Sequence, residues 1–232
     1  MIKKEKFLKR LEQITFNEDI TPIVRIDNVA TPKQSNELSW RITDFPSKEE
    51  LKVMQYVNGM STAANCYLIN EICRELTKDE IYVNIGVWKG MTLIAGYINT
   101  ICKIIGVDNF SQFGGPKKEF EKNYNKYKRD NSEFYEQDYV NFFNKYNRYI
   151  DFYFYDGEHS YEIQYQAIEL VIPFLKTGSL IMIDDTNGNN PRSGTLNALY
   201  DNDRQYDIWL DQRTAHNCHP TYWNGIIILE IL

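Results

Sequence analysis

The stretch Ile150-Asp151-Phe152-Tyr153-Phe154-Tyr155-Asp156-Gly157-Glu158-His159-Ser160-Tyr161 decides the fold. Its first six residues are mostly aromatic or β-branched, the composition of a buried strand, and Asp156-Gly157 ends that strand abruptly. The strand finishes in an acid, a glycine, a second acid and a histidine. Further along, Ser179-Leu180-Ile181-Met182-Ile183 is again apolar and runs into Asp184-Asp185-Thr186-Asn187. Two buried strands that each end in carboxylates imply a shared site at one edge of a parallel sheet, where open α/β folds bind ligands.

Working outward, strands alternate with helices. Strand 81–87 precedes a helix over 90–101, strand 103–108 follows, and a lysine- and tyrosine-rich helix covers 116–129. A short strand near 133–136 and a helix near 139–147 lead back to strand 151–156. Helix 161–174, strand 179–184 and a helix around 193–202 come next. Strands 206–211 and 223–231 lie too close in sequence for a crossover helix, which implies an antiparallel edge. The alternation as a whole implies a parallel sheet with helices on both faces. Toward the N-terminus, Ser61 or Thr62 starts a helix that buries Leu68, Ile69, Ile72 and Leu76. Before it, Ser47 and Glu50 form a capping box. Residues 15–46, with Pro22, Pro32, Pro46 and an isolated Trp40, read as irregular. Residues 3–14 carry Phe7, Leu8, Leu11 and Ile14 at helical spacing. Residues 1–50 are therefore taken as a helix and arm, a lid or interaction segment, and 51–232 as the main domain.

Composition narrows the classes. Hydrophobic residues make up 43% of the 232, enough for a packed core, and the net charge of −6 argues against a sequence-independent nucleic-acid binder. The chain opens on Met1-Ile2-Lys3-Lys4-Glu5-Lys6 with no apolar run behind it, and no stretch reaches the ~20 apolar residues of a membrane span. Cys66, Cys73, Cys102 and Cys218 lack paired spacing and read as reduced thiols of a cytoplasmic protein. His216-Asn217-Cys218-His219 has no partner motif for a structural zinc.

In Ile85-Gly86-Val87-Trp88-Lys89-Gly90-Met91-Thr92, the two glycines permit a tight turn and close backbone approach to a ligand at a helix N-terminus. Asp108 ends the next strand, twenty-two residues after Gly86. An acid at that distance suits hydrogen bonding to ribose hydroxyls.

The order strand-Gly-x-x-x-Gly, strand-Asp, strand-Asp-Gly-x-His, strand-Asp-Asp resembles the class I S-adenosylmethionine-dependent methyltransferases. It is most similar to the metal-dependent small-molecule O-methyltransferases of the catechol and the macrolide or novobiocin sugar types, which often carry D-G-x-H-x-Y. The resemblance covers about residues 55–230. It implies a Rossmann-like, doubly wound, mostly parallel seven-stranded α/β sheet with an antiparallel edge strand; the N-terminal helical extension read from the spacing of residues 3–14 lies outside it. It implies that Gly86, Gly90 and Thr92 hold the methionine end of the cofactor and that Asp108 takes the ribose. Gln137 and Asp138 would meet adenine, and Met60 would sit in a loop over the cofactor. One departure is Asn84, where the family has an acid; the amide keeps hydrogen bonding but loses charge that would favour the cofactor.

The same resemblance makes Asp156, Asp184 and Asp185 ligands of Mg²⁺. Three oxygen ligands on strand ends suit a hard divalent ion, and a cation relieves the repulsion between such carboxylates. His159 stands where catechol-type enzymes carry a lysine base; an imidazole with an ordinary pKa near ~6.5 accepts a hydroxyl proton at neutral pH. Asp156 and His159 are thus the catalytic candidates. The loop from Asp211 to Trp223 is near the acceptor by analogy, and its Trp, Tyr, His and Asn suit a sugar ring; Asn189-Asn190-Pro191-Arg192, following the acid pair, is a second candidate to reach the substrate, with Arg192 a contact for an anionic acceptor. The expectation is a cytoplasmic Mg²⁺-assisted O-methyltransferase acting on a small, sugar-like acceptor, with no nucleic-acid or membrane partner and a homo-oligomeric assembly possible through the arm. Two other readings stay open: a metal-independent methyltransferase using His159 alone, and a degenerate binding or scaffold module.

Overall fold

The strands of one sheet send successive side chains into two apolar layers. The structure is a computed structural model and describes residues 2–17 and 32–232. Strands β1 (Thr15–Phe16) and β2 (Thr43–Asp44) pair antiparallel near the N-terminus. The main sheet contains β3 (Ile81–Ile85), β4 (Lys103–Asp108), β5 (Ser132–Glu136), β6 (Ile150–Tyr155), β7 (Leu175–Ile183), β8 (Tyr206–Gln212) and β9 (Ile226–Ile231), in the order β5-β4-β3-β6-β7-β9-β8. Neighbours from β5 to β7 run parallel, and β9 is antiparallel to both β7 and β8. This is the seven-stranded, doubly wound architecture expected from the alternation.

Helices α1 (Lys4–Leu11), α2 (Pro32–Ile42), α3 (Lys48–Leu51), α4 (Ala63–Glu75), α5 (Met91–Ala95), α6 (Lys117–Tyr127), α7 (Tyr139–Phe143), α8 (Tyr161–Val171) and α9 (Asn189–Asp201) join the strands, with 3₁₀ turns at Lys52–Tyr56 and Ile172–Phe174. Successive strand residues point to opposite faces. Tyr82, Phe152, Phe154, Leu180 and Met182 pack in one layer with Phe7, Trp40, Leu68 and Ile72. Val83, Tyr153, Tyr155, Ile181 and Ile183 pack in the other with Phe142, Ile168 and Leu199. Because both faces are covered, the central strands read as unbroken apolar runs rather than alternating ones.

The register places the motifs. Ile85 lies level with Val107 on one side and Tyr155 on the other, and Tyr155 lies level with Ile183. The residues that follow, Asp108, Gly86, Asp156 and Asp184, therefore form one row along the C-terminal edge of the sheet. Asp156 N–H donates to the Ile85 carbonyl at 2.9 Å and Asp184 N–H to the Tyr155 carbonyl at 3.2 Å, so the row is continuous.

Three local expectations are corrected. Part of the segment read as irregular is helical, from Pro32 to Ile42; Pro22 and the rest of 18–31 lie outside the described residues. Helix α2 hides from a periodicity search because its buried positions include Ser35, Asn36 and Ser39, and Pro32 suits its first turn rather than breaking it. The Ser47–Glu50 capping box does not form: Ser47 makes no cap bond, and Glu50 instead meets Arg74 and Asn99. The helix after the glycine turn stops at Ala95 rather than near 101. There the Asn70 amide takes the Ala95 and Ile98 carbonyls, each at 2.8 Å, and Gly96 packs on the Tyr82 ring.

Candidate active site

The glycine turn between β3 and α5 owes its composition first to the chain's own packing. Gly86 has φ +79°, and a Cβ there would stand 2.0 Å from the Asp156 carbonyl oxygen. Gly90, at φ +94°, starts α5 and leaves a Cβ only 3.2 Å from Ile94 and 3.3 Å from Phe120. Between them Trp88 is itself left-handed at φ 45°. Asp108 holds that conformation: its Oδ2 accepts from Trp88 N–H at 2.8 Å and its Oδ1 from Phe110 N–H at 2.7 Å. One carboxylate thus ties two loops together, and among the described residues no further hydrogen bond to it is seen.

These loops enclose a cleft of about 480 Å³, inside the roughly 300–1,000 Å³ range of small-ligand sites. Met60, Gly86, Thr92, Asp108, Gln137 and Asp138 all line it, together with Asp156, His159 and Asp185. Gly90 stands behind the lining, against Ile94 and Phe120. Asn84 is fully buried beneath it, where its Oδ1 accepts from Thr92 Oγ1 at 2.9 Å. The two residues that the sequence singled out there satisfy one another. Asp138 caps α7 by accepting from Val140 N–H at 2.8 Å with one oxygen. Trp88, Phe110, Tyr139 and Gln166 also line the cleft and carry no motif that would have announced them.

At one end of the cleft the acids converge. His159 Nε2 lies 3.7 Å from Asp156 Oδ1 and 3.4 Å from Asp185 Oδ2, so those two oxygens are separated by no more than the sum of these distances. Asp184 is buried beside Asp156. Burial, and then the charges of Asp156 and Asp185, hold the Asp184 carboxyl well above the usual carboxylate range. Asp156 keeps 24% of its side chain exposed, yet desolvation followed by the Asp185 charge raises it in the same direction. Asp185 is left-handed at φ 58°, a conformation Asp tolerates better than most residues. Its Oδ1 accepts from Asn224 Nδ2 at 2.6 Å. Asn224 was not visible as a site residue in the sequence, because the contact spans thirty-nine positions with no motif at either end.

Carboxylate oxygens are the donors a hard divalent cation takes, and Asp184 Oδ1 is buried without a hydrogen-bond partner among the described residues. By donor type the cluster fits such an ion. As arranged, however, no group of three or more His, Cys, Asp or Glu among the described residues has the spacing to hold a metal. His216 and His219 stack at 4.9 Å, with His219 Nδ1 bonded to Thr221 Oγ1 at 2.7 Å, and form no metal group either.

A smaller cavity of about 360 Å³ adjoins the acids and shares His159, Asp185 and Asn224 with the main cleft; Asn189, Asn190, Pro191 and Asn217 also line it. Arg192, considered from sequence as a contact for an anionic acceptor, is taken up by a forked pair with Asp211 at 2.5–2.8 Å.

Residues 83–186, from β3 to just beyond the acid pair, match the family model described as a methyltransferase domain. No curated protein matches the sequence. Among solved structures, a proposed O-methyltransferase from Klebsiella pneumoniae superposes with a TM-score of 0.58 at 11% identity, covering 96% of this chain and 99% of that one. An SAH-bound methyltransferase from Podospora anserina gives 0.55 at 14% identity over 94% and 97%. A proposed SAM-dependent methyltransferase from Streptococcus mutans gives 0.55 at 9% identity over 70% of this chain and 47% of that one, so this chain spans about half its length. At such identities the likeness concerns the fold, and the fold is the Rossmann-like methyltransferase architecture. The row of Asp108, Gly86, Asp156 and Asp184 lies inside the segment that matches the methyltransferase-domain model.

Proposed function

We propose that this chain is an S-adenosylmethionine-dependent O-methyltransferase acting on a hydroxyl of a small molecule, with a sugar or glycosylated metabolite as the favoured acceptor and a divalent cation assisting. The observation that carries the reading is the approach of His159 to both Asp156 and Asp185 on the wall of a cleft that Met60, Gly86, Asp108 and Asp138 also line. A proton acceptor and a cofactor-sized recess thus share one enclosure.

In this reading Met60, Gly86 and Thr92 border the methionine end, Asp108 offers its carboxylate to ribose hydroxyls, and Gln137 and the second oxygen of Asp138 meet the adenine edge. When bound, S-adenosylmethionine supplies an electrophilic methyl carbon. Asp156, Asp184 and Asp185 have the donor chemistry to hold a divalent ion once their spacing closes around it, and such an ion would supply a Lewis acid that lowers the acceptor hydroxyl's pKa. His159 Nε2 takes the hydroxyl proton, and Asp156 and Asp185 stabilise the imidazolium that results. The asparagine-lined cavity beside them offers uncharged donors and acceptors, a lining suited to a neutral polyhydroxylated ring. The protein's main contribution is alignment, since in-line displacement needs nucleophile, methyl carbon and sulfur held in one line.

The test is calorimetry with S-adenosylhomocysteine, followed by transfer of labelled methyl to a panel of hydroxylated acceptors with EDTA and with Mg²⁺. Binding, transfer to a hydroxyl, and loss in EDTA restored by Mg²⁺ are the expected results. Transfer that ignores EDTA removes the cation from the reading. Absence of binding at millimolar ligand removes the activity and leaves the scaffold alternative.

A further inference from the structure

Two successive side chains of α2 reach different walls of the cleft. Asn36 Nδ2 donates to the Ser61 carbonyl at 3.0 Å and meets Met91 Sδ at 3.2 Å. Gly59, Met60, Ser61 and Met91 all line the cleft, on the side assigned to the cofactor. Ser35 Oγ donates instead to the Cys218 carbonyl. From there the path continues without a gap. Cys218 N–H donates to Asn224 Oδ1 at 2.5 Å, Asn224 Nδ2 donates to Asp185 Oδ1 at 2.6 Å, and Asp185 Oδ2 faces His159 Nε2 at 3.4 Å.

The anchorage of α2 is itself polar. Ser35, Asn36 and Ser39 are buried, and Ser39 Oγ accepts from Ala63 N–H at 2.9 Å, at the first residue of α4. A helix meant only to cover apolar surface would bury aliphatic side chains here, because each buried polar group must find a partner or cost about 1–3 kcal/mol. In α2, Ser35 and Asn36 find partners in the backbone of loops that shape the cleft, and Ser39 in the first residue of α4. The Asn224 link also supports Asp185 in its left-handed conformation.

We infer that α2 couples the two sides of the site: Asn36 is a positioning residue for the loop 59–61, and Ser35 is a positioning residue for the Asp185–His159 pair. Being adjacent on one helix, they make the separation of the two walls a property of α2. The inference rests on the proposed methyl transfer for the naming of the two sides, while the hydrogen-bond path stands without it. Misplacement of reacting groups by about 1 Å can cost ~10²-fold in rate, which gives such a coupling its use.

The test compares full-length wild type with Ser35→Ala, Ser35→Thr, Asn36→Ala and the near-isosteric Asn36→Asp. Two readouts are taken: S-adenosylhomocysteine affinity by calorimetry, and hydrogen exchange in peptides covering 57–63 and 214–225. Either Asn36 variant is expected to weaken S-adenosylhomocysteine about fivefold, the worth of one ordinary hydrogen bond, and to speed exchange in 57–63 and, to a smaller extent, in 214–225. Ser35→Ala is expected to leave affinity within about twofold and to speed exchange in 214–225 and, to a smaller extent, in 57–63, with Ser35→Thr restoring the wild-type rates. Loosening confined to the segment each variant touches, or of neither segment, overturns the coupling and reduces α2 to polar packing. Wild type that fails to bind S-adenosylhomocysteine would sink the proposed function, while the exchange rates still decide the coupling.

Discussion

His159 is the residue on which the chemistry turns. Its Nε2 reaches two carboxylates at 3.4 and 3.7 Å, distances at which attraction grows once the ring takes a proton. Its Nδ1 is buried without a hydrogen-bond partner among the described residues. Replacing it by Asn therefore removes the proton acceptor without breaking a bond that fixes the ring. His159→Asn should lower methyl transfer by ~10²–10⁴-fold, the usual share of a general base, with S-adenosylhomocysteine affinity within about twofold of wild type. A variant that keeps its rate shows that the acceptor ionises without His159. Gly86 is a different case, structural before it is functional. A Cβ at 2.0 Å from the Asp156 carbonyl cannot be relieved by a rotamer change, and φ +79° adds strain for any L side chain. Gly86→Ala should cost about 3 kcal/mol or more, read as a fall in the urea midpoint. A midpoint within error of wild type would mean that the strand ends separate more easily than their register implies.

At the scale of elements, the loop between β8 and β9 carries a pH response of its own. The His219 imidazole is pushed down to about 4, first by burial and then by the neighbouring His216 charge. Thr221 N–H donates to its Nδ1 at 3.3 Å and Thr221 Oγ1 lies 2.7 Å away, contacts that suit a neutral ring. A base whose folded pKa lies below its unfolded value near ~6.5 binds fewer protons when folded, so its contribution is complete above that value and declines as pH falls toward 4. The loss should be on the order of 1–3 kcal/mol. His219→Asn, which keeps an acceptor for Thr221, should flatten the fall in melting temperature between pH 6.5 and 4; parallel curves for the two proteins would rule this source out. The same scale shows what could be read from the chain. Strands β6 and β7 were legible because buried parallel strands are continuous apolar runs, and their register then forces Asp156 beside Asp184. Helix α2 was not, since Ser35, Asn36 and Ser39 give it no apolar period. Nor was Asn224, whose bond to Asp185 depends on how β9 folds back along β7.

For the molecule as a whole, the question is whether the N-terminal segment rides on the seven-stranded sheet domain or belongs to its core. Helix α1 lies where the first residues meet nearly the last strands. Phe7 is wholly buried and its ring centroid is 5.4 Å from that of Trp209 in β8. Lys4 pairs with Asp207 of the same strand at 2.6 Å, and on its other flank Lys6 pairs with Glu75 and Arg10 with Glu71, both on α4. The ion pairs are partly exposed and add little each. The ring is another matter, because truncating a buried Phe removes its transfer energy and leaves a cavity. Phe7→Ala should therefore cost about 3–5 kcal/mol, or roughly 6 to 20 °C in melting temperature for a chain of this size. If α1 were a loosely attached arm, it would release Trp209 to solvent, and the main transition would shift by less than about 2 °C. Thermal unfolding followed by Trp fluorescence and by far-ultraviolet dichroism separates the two outcomes. A single coincident transition lowered in both signals makes α1 part of the core, while an early fluorescence change ahead of an unshifted dichroism transition makes it an appendage.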